Sequence, residues 1–226
     1  MKPNTEARIG IEQMLPISWP SPNITSVHRE PPKQTRNHTV PAERGLSPRL
    51  LAELQKEVIE IEVERGTSTE SISQKSLLLT EEVFEVMKVL RADSGIATSS
   101  RPAVELGDEL ADVLFVCAAI ANRVPTDLSL VWVDVRGNRR QGAASRVSSR
   151  AAVLSDAIQL ARQVLELITA VPQGADVAAT PSFPEEITGN LLGVLLSVDV
   201  IATNKRIDLS SALDGKLQKD QLRLWR

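Results

Sequence analysis

Seven carboxylates in two short stretches are the residues of this chain best suited to chemistry. They are Glu81, Glu82 and Glu85, followed by Glu105, Asp108, Glu109 and Asp112. Both stretches have helical character, and residues three or four apart share one face of a helix. Glu82 and Glu85 therefore point the same way, and so do Glu105, Glu109 and Asp112.

A divalent cation would explain such stacking of like charges. Neighbouring carboxylates repel one another on a helix, and both stretches lie inside apolar runs, where a bare carboxylate is costly to bury. Mg²⁺ prefers oxygen ligands of this kind. The two histidines, His28 and His38, lie far upstream, and an all-carboxylate donor set favours Mg²⁺ or Mn²⁺ over zinc or iron. The alternative is that both stretches are solvated helix faces.

The order of these carboxylates resembles a known signature. Glu81-Glu82-x-x-Glu85 followed by Glu109-x-x-Asp112 is similar to the EExxE…ExxD pattern of the MazG-like, all-α nucleoside triphosphate pyrophosphohydrolases. The flanking residues agree, and the resemblance covers roughly residues 50–140. It implies a four-helix bundle that hydrolyses a nucleoside triphosphate, between its α- and β-phosphates, to the monophosphate and pyrophosphate.

The resemblance also implies residue roles. Glu82, Glu85, Glu109 and Asp112 would hold Mg²⁺, and Glu81 or Glu105 would orient or deprotonate the attacking water. The cations expected to contact the substrate's phosphates are Lys75, Lys88 and Arg91, with Asn138 and Arg139 in a basic tail. Each of these cations is otherwise a solvated surface charge. Lys216 and Lys219 look like the same tail in a second copy of the unit.

Composition limits the other possibilities. The chain has 226 residues, of which 42% are hydrophobic and 3% aromatic, so its core is aliphatic and large enough for one or two small domains. A net charge of −3 argues against binding nucleic acid through a basic surface. We find no apolar run long enough for a membrane span and no signal peptide, and expect a cytoplasmic protein. The single Cys117 excludes an internal disulfide.

Pattern along the chain predicts an all-α protein. Residues 1–46 form a Pro-rich irregular arm. The first helix begins at Ser47-Pro48 and stops at Gly66, and further helices span about 71–92 and 103–123. A fourth begins at Asp127 and fades by Gly137, although Leu130–Val135 is also the one β-like run.

An internal repeat divides the chain after the arm into residues 47–140 and 141–226. Glu105–Leu130 aligns with Glu186–Ser211 without a gap, at an offset of 81 residues with nine identities. The ligand positions change in the second copy: Glu82 aligns with Asp156, Glu85 with Gln159, Glu109 with Asn190 and Asp112 with Gly193. The sequence therefore predicts a pseudo-dimer of one MazG-like catalytic repeat and one degenerate repeat, with a homodimer of whole chains also open.

Other classes of function remain. A catalytically silent helical protein, binding a nucleotide, a metal or another protein, could keep the same fold. An α/β phosphatase or nucleotidyltransferase is disfavoured, because no Gly-rich phosphate loop follows a strand. Few aromatic residues are available to stack a base, so the nucleotide itself stays open.

Overall fold

The computed structural model describes residues 45–95, 103–139, 150–171 and 183–224. These residues belong to one compact unit, Pro41–Arg226. The described part is entirely helical, which confirms the all-α prediction. Its helices are α1 Pro48–Arg65, α2 Ile72–Asp93, α3 Ala103–Arg123, α4 Leu128–Arg139, α5 Arg150–Ala170, α6 Phe183–Lys205 and α7 Leu209–Leu224. The predicted arm lies outside the described residues, apart from Gly45 and Leu46.

The helix ends follow local sequence signals. The Ser47 hydroxyl accepts a hydrogen bond from the Leu50 amide at 3.2 Å, ahead of Pro48 in the first turn. Gly66 ends α1 with φ 69, a left-handed conformation that glycine adopts without steric cost. Ser71 and Gln74 form a capping box at the start of α2. The predicted starts and stops of the first helices are confirmed at these positions.

The region after Pro125 differs from the expectation in one respect. Leu130–Val135 lies inside α4, so the β-like interpretation of that run was wrong. The buried residues Leu128 and Trp132 are four apart, and this helical spacing decides the matter over the local Val content. The Trp132 indole N–H also donates to the Leu46 carbonyl at 3.1 Å, which ties α4 to the residues before α1.

Helix α3 is the centre of the molecule. Residues 116–121 are all buried, as expected for a helix that is apolar on every side. It packs against α1, α2, α6 and α7, while α2 also packs against α5, and α5 against α6. Cys117 lies in this core, and burial raises the pKa of its thiol. The helix thus brings the acidic residues on its first half into contact with elements from both predicted repeats.

Helix α6 bears on the membrane question. Pro184–Lys205 is long and apolar enough to cross a membrane by length and composition, and α3 with α4 would qualify if that bent pair were one span. The expectation that no apolar run has this length was therefore wrong. Ile187, Leu191 and Leu195 of α6 are buried, and the core helix of a soluble protein passes the same test, so this is weak evidence for a membrane location.

The turns before α4 and α7 repeat one another at the offset of 81 residues. The Asp127 carboxylate accepts from the amide of Ser129 at 2.8 Å, and Asp208 accepts from that of Ser210 at 3.0 Å. One residue earlier in each turn, the amides of Thr126 and Ile207 donate to the carbonyls of Ala121 and Ala202 at 3.1 and 2.9 Å. Equivalent residues of the two repeats thus make equivalent bonds here.

Candidate metal centre

Three of the predicted ligands come together between α2 and α3. Glu82, Glu109 and Asp112 each offer a carboxylate oxygen, and these oxygens all lie within 4.8 Å of one another. All three residues are partly buried. We call this group the carboxylate cluster. Oxygen donors at such separations suit a hard divalent cation.

Local helix geometry explains why these side chains meet. Leu79, Val83 and Val86 form the buried face of α2, and Glu82 lies beside Val83 at the edge of that face. On α3, Leu110 and Val113 are fully buried and alternate with the two acidic positions. The carboxylates therefore lie along the seam where the two helices pack, half out of water.

The cluster carries an excess of negative charge. The pKa of Glu82 is raised from 4.5 to about 7, first by burial and then by the charge of Asp112, with smaller contributions from Glu109 and Glu81. Lys216 opposes this shift. A bound cation would relieve the same repulsion, so the donor chemistry and the electrostatics both fit Mg²⁺.

Helix α7 supplies cations to this site. The Lys216 ammonium contacts Asp112 Oδ1, with only 17% and 21% of the two side chains exposed. The Lys219 ammonium lies 2.6 Å from Asp108 Oδ2. The sequence matches both lysines to a basic tail, but it gives no indication that α7 packs against α3. The matching spacing, three apart on α7 and four apart on α3, becomes informative only once that packing is known.

The fourth predicted ligand, Glu85, lies outside the carboxylate cluster. It pairs with Lys88 on the same helix, and both side chains are substantially exposed. Glu81 is exposed beside the cluster, and Arg91 is exposed in the last turn of α2. Three further predicted residues lie in helices, but their side chains are outside the described part of the structure: Glu105 in α3, and Asn138 and Arg139 in α4.

Lys75 lies in a different environment from the one expected of a substrate contact. It is buried, with its ammonium 2.7 Å from Glu62 and 2.5 Å from Glu70. Arg123 completes this group through a bond of 2.9 Å to the other oxygen of Glu62. We call these four residues the buried ion network; it joins α1, α2 and α3. The proposed phosphate contact of Lys75 stays a prediction.

The aligned positions of the second repeat have neutral or hydrogen-bonded partners instead. Asp156 accepts from the Asn204 amide at 2.7 Å, and the Asn190 amide donates to the Glu166 carbonyl at 3.4 Å. A Cβ atom added to Gly193 would lie 1.6 Å from the side-chain oxygen of Gln163. The space that corresponds to Asp112 is therefore filled.

Comparison of the chain with protein-family models, with curated proteins and with solved structures found no match. The geometry of the carboxylate cluster is accordingly the observation from which a function can be proposed.

Proposed function

We propose that this protein is a Mg²⁺-dependent nucleoside triphosphate pyrophosphohydrolase of the MazG-like kind. The observation that carries the proposal is the convergence of Glu82, Glu109 and Asp112 from two adjacent helices. These are three of the four positions at which the sequence motif requires ligands. A motif match in sequence does not by itself bring side chains within 4.8 Å of one another.

Each residue has a role in this proposal. Glu82, Glu109 and Asp112 would hold Mg²⁺, which would neutralise charge on the phosphate oxygens and acidify a water molecule. Glu81, exposed next to Glu82, would accept the proton of that water as its oxygen bonds to the α-phosphorus and the bond to the bridging oxygen breaks. Pyrophosphate leaves with the bridging oxygen. Lys219 and other cations of α7 would balance the charge of the triphosphate.

We further propose that residues 141–226 are a degenerate copy of the catalytic repeat. Two observations support it: the identities at one constant offset, and the matching hydrogen bonds in the turns before α4 and α7. In this proposal the packing of α2 on α5 and of α3 on α6 takes the place of a subunit interface. The second copy keeps the apolar contacts and has lost the ligands.

Pyrophosphate release from a panel of normal and modified nucleoside triphosphates, with Mg²⁺, tests the proposed activity. We expect turnover by the wild type and a loss of about a hundredfold or more in Glu109→Gln, because one ligand oxygen is replaced by an amide. Asp156→Asn is the matched control from the second repeat and should keep its turnover. Near-normal kcat in Glu109→Gln would contradict the proposed site.

A catalytically silent metal- or nucleotide-binding protein is the second candidate. The observation that favours it is the Lys216–Asp112 pair, which compensates part of the cluster's charge without an ion. This candidate predicts no pyrophosphate from any triphosphate with either Mg²⁺ or Mn²⁺, while binding of the ion or the nucleotide is still measurable by calorimetry.

A further inference from the structure

We propose that Lys216 is a built-in competitor of the metal ion: its ammonium takes the place of a cation at Asp112 and must leave when Mg²⁺ binds to the carboxylate cluster. This inference rests on the proposed metal site and adds a residue that the MazG-like motif does not contain. It also gives the second repeat a direct effect on the site in the first.

The position of Lys216 carries the inference. Its ammonium contacts Asp112 Oδ1, and both side chains are largely removed from solvent. Asp112 is also one of the three residues whose oxygens converge. The charge of Lys216 acts on Glu82 as well, whose pKa it lowers against the combined effect of burial and the neighbouring carboxylates. One ammonium thus interacts with two members of the cluster.

The surrounding contacts allow Lys216 to move while α7 stays in place. Leu209 and Leu213 of α7 are buried, and Lys219 holds Asp108 one turn further along. A lysine side chain is a flexible four-carbon chain ending in a compact charge. The ammonium can therefore swing away from Asp112 without undocking the helix, and Mg²⁺ then replaces one positive charge with two.

This exchange has opposite consequences for the two states of the protein. Lys216 stabilises the metal-free fold, because it compensates carboxylates that otherwise repel one another. It weakens metal binding, because its contact with Asp112 must be broken first. Removing its charge should therefore tighten Mg²⁺ binding and lower the metal-free melting temperature.

Calorimetric titration of the full chain with Mg²⁺, without nucleotide, tests the competition. We expect Lys216→Met to bind Mg²⁺ about fivefold to tenfold more tightly than the wild type, as for the loss of one partly buried ion pair. Lys205→Met is the matched control: Lys205 and Asp93 are 3.0 Å apart with 22% and 24% exposure, and Asp93 is not in the carboxylate cluster. Its Mg²⁺ affinity should equal that of the wild type.

Thermal unfolding with and without Mg²⁺ is the second measurement. The metal-free Lys216→Met protein should melt below the wild type, and Mg²⁺ should raise its melting temperature by more. If that variant does not fold, Lys216→Gln removes the charge and keeps a polar side chain, and the same comparison applies.

The outcomes separate this inference from the proposed function. Unchanged or weaker Mg²⁺ binding in the Lys216 variant, beside normal binding by the wild type, overturns the competition and leaves the metal site standing. Binding by the variant but not by the wild type supports a strong competition. Binding by neither overturns both proposals.

Discussion

At the scale of single residues, the carboxylate cluster turns a sequence motif into a geometric claim. The motif predicts four equivalent ligands, while the structure brings three oxygens together and leaves Glu85 paired with Lys88. Side chains three apart on a helix differ in direction by about one-sixth of a turn. That difference is enough for Glu82 to lie at the seam with α3 while Glu85 lies further toward solvent.

The three-ligand geometry predicts unequal effects of removing single carboxylates. We expect Glu109→Gln to weaken Mg²⁺ binding on the order of a hundredfold, and Glu85→Gln to weaken it much less, because only Glu109 lies in the cluster. Calorimetric titration of both variants checks this. Equal losses would show that Glu85 joins the ligand set when the ion binds.

The raised pKa of Glu82 predicts how stability depends on pH. Between pH 4.5 and about 7, the folded metal-free protein binds more protons at Glu82 than the unfolded chain does. The contribution of Glu82 to the free energy of unfolding therefore falls as pH rises through that window. Glu82→Gln removes this contribution, so the variant should gain on the wild type as pH rises. The gain should be on the order of 1 kcal/mol, because solvent screens a half-exposed carboxylate.

Urea unfolding of both proteins with a chelator present, from pH 4.5 to 8, measures the gain. The difference between variant and wild type should grow up to about pH 7 and then level off. A difference that is constant across this range would show that the Glu82 carboxyl titrates alike in both states.

At the scale of elements, the buried ion network shows how α1, α2 and α3 are held around the site. Glu62 is almost fully buried and bonds both Lys75 and Arg123. Arg123 also donates to the carbonyls of Thr67 and Glu70, in the connection between α1 and α2. The network thus closes the α1–α2 turn over the end of α3.

Breaking this network should destabilise the fold without touching the metal site. We expect Glu62→Gln to lower the free energy of unfolding by about 3 kcal/mol, because two buried cations lose their shared carboxylate. Glu53→Gln is the control, since its pair with Arg49 is exposed and should contribute less than about 1 kcal/mol. Urea unfolding measures both, and a Glu62 effect no larger than the Glu53 effect would contradict a structural role.

At the scale of the whole molecule, the two repeats share one core. Leu114 of α3 and Leu195 of α6 are equivalent at the offset of 81 residues, and both are fully buried. Helix α3 packs against α6 and α7 of the second repeat as well as against its own neighbours. Neither repeat can bury its apolar faces alone.

A shared core predicts a single cooperative unfolding transition. We expect Leu114→Ala and Leu195→Ala each to cost about 2–5 kcal/mol and to shift the same transition, even though only Leu114 lies near the carboxylate cluster. Calorimetry and circular dichroism should give coincident midpoints in each variant. Two separate transitions, with one variant affecting each, would show that the repeats fold independently.

Much of the fold follows from the sequence because its signals are local. Ser47, Gly66 and Ser71 set helix ends through bonds to residues within a few positions of themselves, and the spacing of Glu109 and Asp112 puts them on one face wherever the helix lies. Tertiary packing decided the rest. The docking of α7 on α3 puts Lys216 at Asp112, and the packing of α1 on α3 sets the partner that buries Lys75. Those partners come from distant positions in the chain, and nothing in the local sequence around a charged residue specifies which distant residue will face it.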